Sequence, residues 1–375
     1  MVEKYDFIFT GLQLWDLEIG SNARDMALEI SKNNRVLYIN TPQQPRKDKS
    51  LRRINENLWV VDSPFSLLSV NKLPDGVVFD FVNKLNNIKE FNFIKEVIEE
   101  LKFKDVIHIR DNDIYRSFYG KELLKSKLTI YYRRDNLLDM AYWKRHACRL
   151  EPLLIAKSDV VVCNSSYLAD VARQYNNNTF DIGQGVDLSL YDPSSPSMLN
   201  DMANIPRPIV GYLGYITSLR LDPDLLFELA SSRENVSFVF VGDADDVFNN
   251  HKLKTLPNVY FLGFRSQDKV PQYINSFDIC INPQVVNHAT IGNYPRKIDE
   301  YLSLGKPVLA TNTSAMYMFK DYVYLCDGLS DYQKALDNIL SGEDSKNIDL
   351  RIAFARTHTW EHSVGRLYKA IETKL

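Results

Sequence analysis

Asn293 to Asn312 reads "NYPRKIDEYLSLGKPVLATN": a proline, two cations, an apolar-periodic run, then Gly-Lys-Pro and an apolar strand. Pro295 suits the first turn of a helix with Asn293 or Tyr294 as its cap, Gly305 suits its end, and "PVLAT" is a strand. One helix feeding one strand is half of a β/α repeat. Lys297 and Glu300 stand three apart, on one face of that helix. Backbone NH groups at a helix start favour a phosphate, and a Lys adds a full charge beside them. Glu300, one turn deeper, can accept two hydroxyl hydrogen bonds, as a ribose diol would offer. The pair fits a nucleoside diphosphate; by spacing alone it also fits an intrahelical ion pair.

Outward from this stretch the same alternation recurs. "YDFIFTG", "RVLYIN", "LWVVDS", "DVIHIR", "LTIYY" and "DVVVCN" are strand-like, as are "PIVGYLGY", "VSFVFVG", "VYFLGF", "DICINP" and "PVLATN". Helix-like segments separate them, so the fold class is α/β with parallel sheets. Two such series in 375 residues make two Rossmann-like domains, expected to face a central cleft. The boundaries expected are 1–195 and 196–355, with 356–375 a helix returning towards the first domain. Val364, Leu367, Tyr368 and Ile371 form that helix's apolar stripe.

An apolar fraction of 45% and a charged fraction of 25% are those of a globular chain. No run approaches the roughly 20 apolar residues of a membrane span, and "MVEKYDFIFTGLQ" lacks the charge pattern of a secretory leader. Cys148, Cys163, Cys280 and Cys326 are scattered, with no metal-ligand spacing. A cytoplasmic location with reduced thiols is the expectation. Net charge is −3, the first 190 residues carrying +1. Cations gather in Arg46–Arg53 and Tyr131–Arg149, which suggests either a solvated surface or peripheral contact with the inner face of an anionic membrane. No nucleic-acid-binding motif accompanies them. Neither "FTGLQLWDLEIGSN" nor "GYLGYITSLRLD" has the spacing of a dinucleotide fingerprint.

The second half resembles the donor-binding domain of GT-B glycosyltransferases, through "IVGYLGYITSLRLDPDLLFELA", "VSFVFVGDAD", "LPNVYFLGF", "KVPQYINSFDICINP" and "YPRKIDEYLSLGKPVLAT". The first half is similar to acceptor domains of that class, through "GSNARDMALEISKNNRVLYIN", "RLEPLLIAKSDVVVCNSSYLADVARQY" and "IGQGVDLSLYD". Within it the chain looks most like bacterial surface-polysaccharide transferases (capsule and exopolysaccharide) of the family 4 or xanthan glucuronosyltransferase type. The resemblance implies transfer from a UDP- or GDP-sugar to a glycan or lipid-linked acceptor, with the nucleotide sugar as co-substrate and no metal or other cofactor. It places Lys297 on the diphosphate and Glu300 on the ribose. Arg296, Tyr294, Asn293, Tyr215, Gly214 and Asp243 join the donor side, and Asn287 and His288 lie on the loop expected to face the sugar. Gly11, Trp15, Ser21, Asn22 and His146 border the acceptor. The commonest retaining family carries a Glu eight residues before Glu300, where this chain has Gly292, and an Arg where it has Tyr215. An inverting course needs a general base, for which Asp135 is the first candidate and Asp139 the second. On charge alone, Asp135 also fits a pairing with Arg133 or Arg134. Asp243-Ala244-Asp245 imitates a metal motif in the wrong loop. The alternatives are a nucleotide-sugar 2-epimerase and a non-catalytic nucleotide-binding homologue.

Overall fold

The computed structural model describes the chain except residues 1–3, 18–20, 44, 46–47, 195–198, 288–289 and 345–346, and the side chain of Asp139. It divides into two compact units, Met1–Gly185 with Trp360–Leu375, and Val186–Thr359. The chain thus leaves the first unit at Gly185, ten residues before position 195, and re-enters it at Trp360.

Eight strands build the first unit: β1 Asp6–Gly11, β2 Arg35–Ile39, β3 Ser50–Asn55, β4 Leu58–Asp62, β5 Val106–Asp111, β6 Leu128–Arg133, β7 Val160–Cys163 and β8 Thr179–Asp181. They lie in the order β3-β4-β2-β1-β5-β6-β7-β8, parallel except for β3 against β4. Its helices are α1 Asn22–Ser31, α2 Val77–Leu101, α3 Gly120–Leu124, α4 Lys144–Lys157 and α5 Ser166–Arg173. In the second unit β9 Ile209–Leu213, β10 Ser237–Val241, β11 Val259–Gly263, β12 Ile279–Asn282, β13 Val308–Thr311 and β14 Tyr324–Cys326 form a parallel sheet. Their order is β11-β10-β9-β12-β13-β14. Around them run α6 Pro223–Ser231, α7 Asp246–Asn249, α8 Val270–Ser276, α9 Lys297–Ser303, α10 Leu329–Leu340 and α11 Ile348–Ala355. The last helix, α12 Trp360–Glu372, belongs to the first unit. Its Val364, Leu367 and Ile371 are buried with Met26, Ile30 and Val160.

Helices on both faces cover the central strands: every residue of β1, β5 and β6 is buried. In each sheet the strand order reverses at one point, between β1 and β5 and between β9 and β12. The crevice outside the carboxyl ends of such a strand pair is where open α/β sheets take ligands.

Gly211, in β9, lies under the ring of buried Phe277: a Cβ there would sit 2.2 Å from ring carbons. Gly211→Ala is expected to destabilise the second unit by about 1–3 kcal/mol, the usual cost of overpacking, read as a lower urea midpoint. Adding Phe277→Leu should recover part of the loss. An unchanged midpoint in Gly211→Ala would contradict this packing.

Candidate functional site

At the β9/β12 reversal the chain turns through Gly214, whose φ of +132° suits glycine. The loops after β9, β10 and β11 interlock through backbone bonds: Gly214 N to Val241 O at 2.9 Å, Ile216 N to Asp243 O at 2.8 Å, and Gly242 N to Gly263 O at 2.9 Å. A Cβ at 242 would lie 2.1 Å from the Gly214 carbonyl oxygen, so two backbones touch directly.

Lys297 is aimed into this turn. Its Nζ donates to the Tyr212 hydroxyl, stands 3.9 Å from the centre of that ring, and would lie 3.1 Å from a Cβ on Gly214. Glu300 turns elsewhere on the helix, pairing with Arg296 at 3.3 Å and interacting electrostatically with Tyr191. Burial first, then Glu300, pushes the Tyr191 pKa up. The intrahelical Lys297–Glu300 pair allowed by spacing is therefore not formed. Both side chains stay partly exposed.

Helix α9 begins at Lys297, two residues later than Pro295 suggests, with Arg296 at the cap position and no side-chain cap bond. Tyr294 faces inward, contrary to the donor contact expected of it. Its hydroxyl donates to Asp299 at 2.6 Å, while His358 Nδ1 lies 2.7 Å from the same carboxylate. Asp299 is fully buried and its pKa is raised by that burial, against the pull of His358. This anchor fixes the helix start; the sequence reading missed it. Asn293 is half-buried, its NH bonded to Thr290 O at 3.1 Å. Tyr215, Arg220 and Asp243 are exposed on the interlocked loops. Asn287 ties its loop back to Leu219 O at 2.9 Å, and His288 lies outside the described residues. Asp245 accepts Ser218 N at 2.7 Å and Ser218 Oγ at 2.9 Å, and it caps α7 through Phe248 N at 3.0 Å. Those bonds occupy both its oxygens, and no group of three or more metal-ligating side chains occurs among the described residues. Asn282, at the end of β12, is buried with its side-chain amide unpartnered among the described residues.

The first unit's crevice, at the ends of β1 and β5, is lined by charge. Gly11 lies so close to β5 that a Cβ would meet Asp111 O at 2.9 Å. Asp111 takes Arg134 Nε at 2.6 Å and Nη2 at 2.9 Å, both residues buried. Arg116 donates to the Gly11 carbonyl, to Thr41 Oγ1 at 2.7 Å and to Glu90. Asp113 accepts Tyr115 N at 2.8 Å with one oxygen, leaving the other buried and unpartnered among the described residues. Burial raises the pKa of Asp111, Asp113 and Glu90. "RDND", closing β5 and opening the loop after it, was the unused signal for this cluster.

Asp135 stands at its partly exposed rim, just past β6. Arg133 is engaged by Glu151 at 2.9 Å and Arg134 by Asp111, so neither forms the ion pair with Asp135 that charge alone allowed. Its carboxylate instead accepts Asn112 Nδ2 at 3.3 Å, while Asn112 Oδ1 takes the NH of Arg134 at 3.1 Å and of Asp135 at 3.4 Å. Asp139 ends a short 3₁₀ turn; its side chain lies outside the described residues.

Two acceptor-side candidates are buried. Trp15 is buried in the core, edge-on to Tyr38 at 5.2 Å, because Asn40 Oδ1 holds its NH at 2.8 Å. His146 is fully buried, stacked on Phe79 at 4.0 Å, with Nδ1 2.9 Å from the Tyr115 hydroxyl and Nε2 3.1 Å from Leu73 O. Ser21 caps α1, accepting Arg24 N at 3.1 Å. Asn22 donates to Gln184 Oε1 at 3.0 Å.

Residues 208–340, from just before β9 to the end of α10, match the family described as Glycosyl transferases group 1. Over 245 residues the chain is 29% identical to TuaH of Bacillus subtilis (strain 168), named as a teichuronic acid biosynthesis glycosyltransferase, with 60% of each chain covered. Among solved structures it is similar to sucrose-phosphate synthase of Thermosynechococcus elongatus, at 12% identity and TM-score 0.72, covering 99% of this chain and 100% of that one. HepE of Anabaena, solved in complex with UDP, is 16% identical at TM-score 0.67, with 99% and 100% covered. The fold is that of GT-B glycosyltransferases. The group 1 family match lies within the second unit.

Burial holds the His146 pKa below its ordinary value. The unfolded imidazole takes up a proton near pH 6.5 and the folded one at lower pH, so its stabilising contribution is complete above that pH and lost as pH falls. Denaturation followed between pH 7 and 5 should show stability dropping, with a shallower drop in His146→Gln. Equal slopes in the two proteins would contradict the buried, neutral assignment.

Proposed function

We propose that this protein transfers a sugar from a nucleoside-diphosphate sugar, UDP- or GDP-linked, to a glycan or lipid-linked acceptor in bacterial surface-polysaccharide synthesis. The observation that carries the reading is the aim of Lys297: its ammonium sits against Gly214 at the β9/β12 crevice instead of neutralising Glu300. A cation held there by a ring and a hydroxyl, without a carboxylate, keeps its charge available for a diphosphate. Glu300 remains partly exposed to accept ribose hydroxyls. The group 1 domain match and the name of the Bacillus relative support this reaction class and this setting.

In this reading the leaving diphosphate's charge falls to Lys297 and Arg296, with no metal taking part. The acceptor hydroxyl gives its proton to Asp135, whose carboxylate the Asn112 amide orients and which forms no direct ion pair with Arg133 or Arg134.

Calorimetry with UDP and GDP should find one that binds, with Lys297→Ala weakening it by about 10–100-fold and Glu300→Ala by about tenfold. Undiminished affinity in both variants would remove the donor site from this helix. With a nucleotide sugar and a bacterial membrane extract as acceptor, Asp135→Asn should cut transfer by about 10²–10⁴-fold while nucleotide affinity stays unchanged. Chelator should leave the wild-type rate intact. Nucleotide binding with no transfer by the wild type would favour the non-catalytic reading.

A further inference from the structure

The first half of α2 is inside out. Val77, Val78, Phe81 and Leu85 are 85%, 64%, 63% and 45% exposed, whereas Asn83, Asn86, Asn87 and Glu90 are buried. The inward polar residues have partners that explain them. Asn86 bonds both the NH and the carbonyl of Leu68, Asn87 donates to Tyr115 O at 2.9 Å and accepts Tyr119 N at 3.0 Å, and Glu90 pairs with Arg116. Those bonds fix the helix rotation and leave these four apolar residues outside, while Phe79 turns into the core.

The outward residues form one stripe. At about 100° per residue, Val77, half-buried Ile88, Phe81, Leu85 and Val78 fall within an arc of about 100°. Lys84 and Lys89 lie about 20° beyond its two edges, the Lys89 ammonium resting over the Phe65 ring at 4.6 Å and 3.3 Å from the Ser66 carbonyl but facing no carboxylate among the described residues. Exposed Leu68 and Lys72 lie on the loop before the helix, and Arg145 reaches the Lys72 carbonyl at 2.9 Å. The nearby carboxylates Asp75 and Asp80 are both taken by Arg149. An apolar face this coherent on a folded unit marks a binding surface.

We infer that the Val77–Leu85 face of α2 docks on an anionic lipid bilayer, lying in the interface with Lys84 and Lys89 at headgroup level. Charge complementarity selects this occupant: a second copy on the same stripe would set like-charged lysine borders together, whereas anionic headgroups match them. No helix among the described residues is long and apolar enough to span a membrane, which fits a face that lies on the surface. Most cations of the runs singled out in the sequence are already engaged, Lys144 and Arg145 being exposed exceptions. Arg133, Arg134 and Arg149 are in ion pairs, Lys49 pairs with Glu100 and Arg52 with Asp16, Arg53 is turned to the Asn55 and Glu56 carbonyls, and Arg46 and Lys47 lie outside the described residues.

The test is flotation of the full chain with vesicles of phosphatidylcholine mixed with phosphatidylglycerol, and with phosphatidylcholine alone, at low salt. Wild type should float with the mixed vesicles and only weakly with the neutral ones. Phe81→Glu combined with Leu85→Glu should lower binding by about tenfold or more, and Lys84→Glu with Lys89→Glu by several-fold. These exposed positions leave the core intact, which circular dichroism would verify. Absence of wild-type flotation, or flotation unaffected by the Phe81 and Leu85 changes, would overturn the inference. A dimer in sedimentation equilibrium that dissociates in the Phe81→Glu, Leu85→Glu variant would overturn it too, assigning the face to a second copy. Neither readout depends on nucleotide binding.

Discussion

Backbone lies directly on backbone where the loops after β9 and β10 meet, and the second unit's crevice is arranged around that contact. No side chain at 242 is compatible with the Gly214 carbonyl beside it. The same turn leaves room for the Lys297 ammonium, which a Cβ at 214 would crowd. Two glycines therefore create the space and a lysine supplies the charge. Tyr212, from the strand that leads into the turn, holds the ammonium by its ring face and its hydroxyl.

What aims the lysine is buried beneath it. Asp299, two residues on, is held by Tyr294 and His358 inside the unit. A carboxylate in so dry a place is costly unless hydrogen-bonded, and the two partners set the helix at one rotation. At that rotation Ile298, Tyr301 and Leu302 enter the core. Lys297 and Glu300 remain outside it and diverge, one to the β9 turn and the other to Arg296 and Tyr191. Asp135 follows the same economy in the first unit, its neighbouring arginines consumed by buried carboxylates so that its own charge is left at the rim.

The fold was legible because buried parallel strands cannot disguise themselves: all eleven apolar runs recognised in the sequence are strands of the two sheets. What escaped was short or polar. β3 is an exposed edge strand reading "SLRRIN", and β8 and β14 are three residues each, too brief for a pattern. The positions of Lys297 and Glu300 were legible from a proline, a glycine and a spacing, but their partners were not: Tyr212 comes from β9, and the Arg296 pairing was one of several the stretch allowed. Trp15 could not be placed because an aromatic between Gly11 and Gly20 reads the same whether it faces a ligand or Tyr38. The buried polar set of Asp299, Asn86, Asn87 and Glu90 could not be found by periodicity, which assigns such residues to solvent.

The most direct test of the account is amide hydrogen exchange on the full chain with and without saturating nucleoside diphosphate. The account predicts slowed exchange across residues 212–218 and 241–245 and at the start of α9. Protection confined to other segments, or none at saturation, would contradict the claim that the glycine-built crevice beside Lys297 is the donor site.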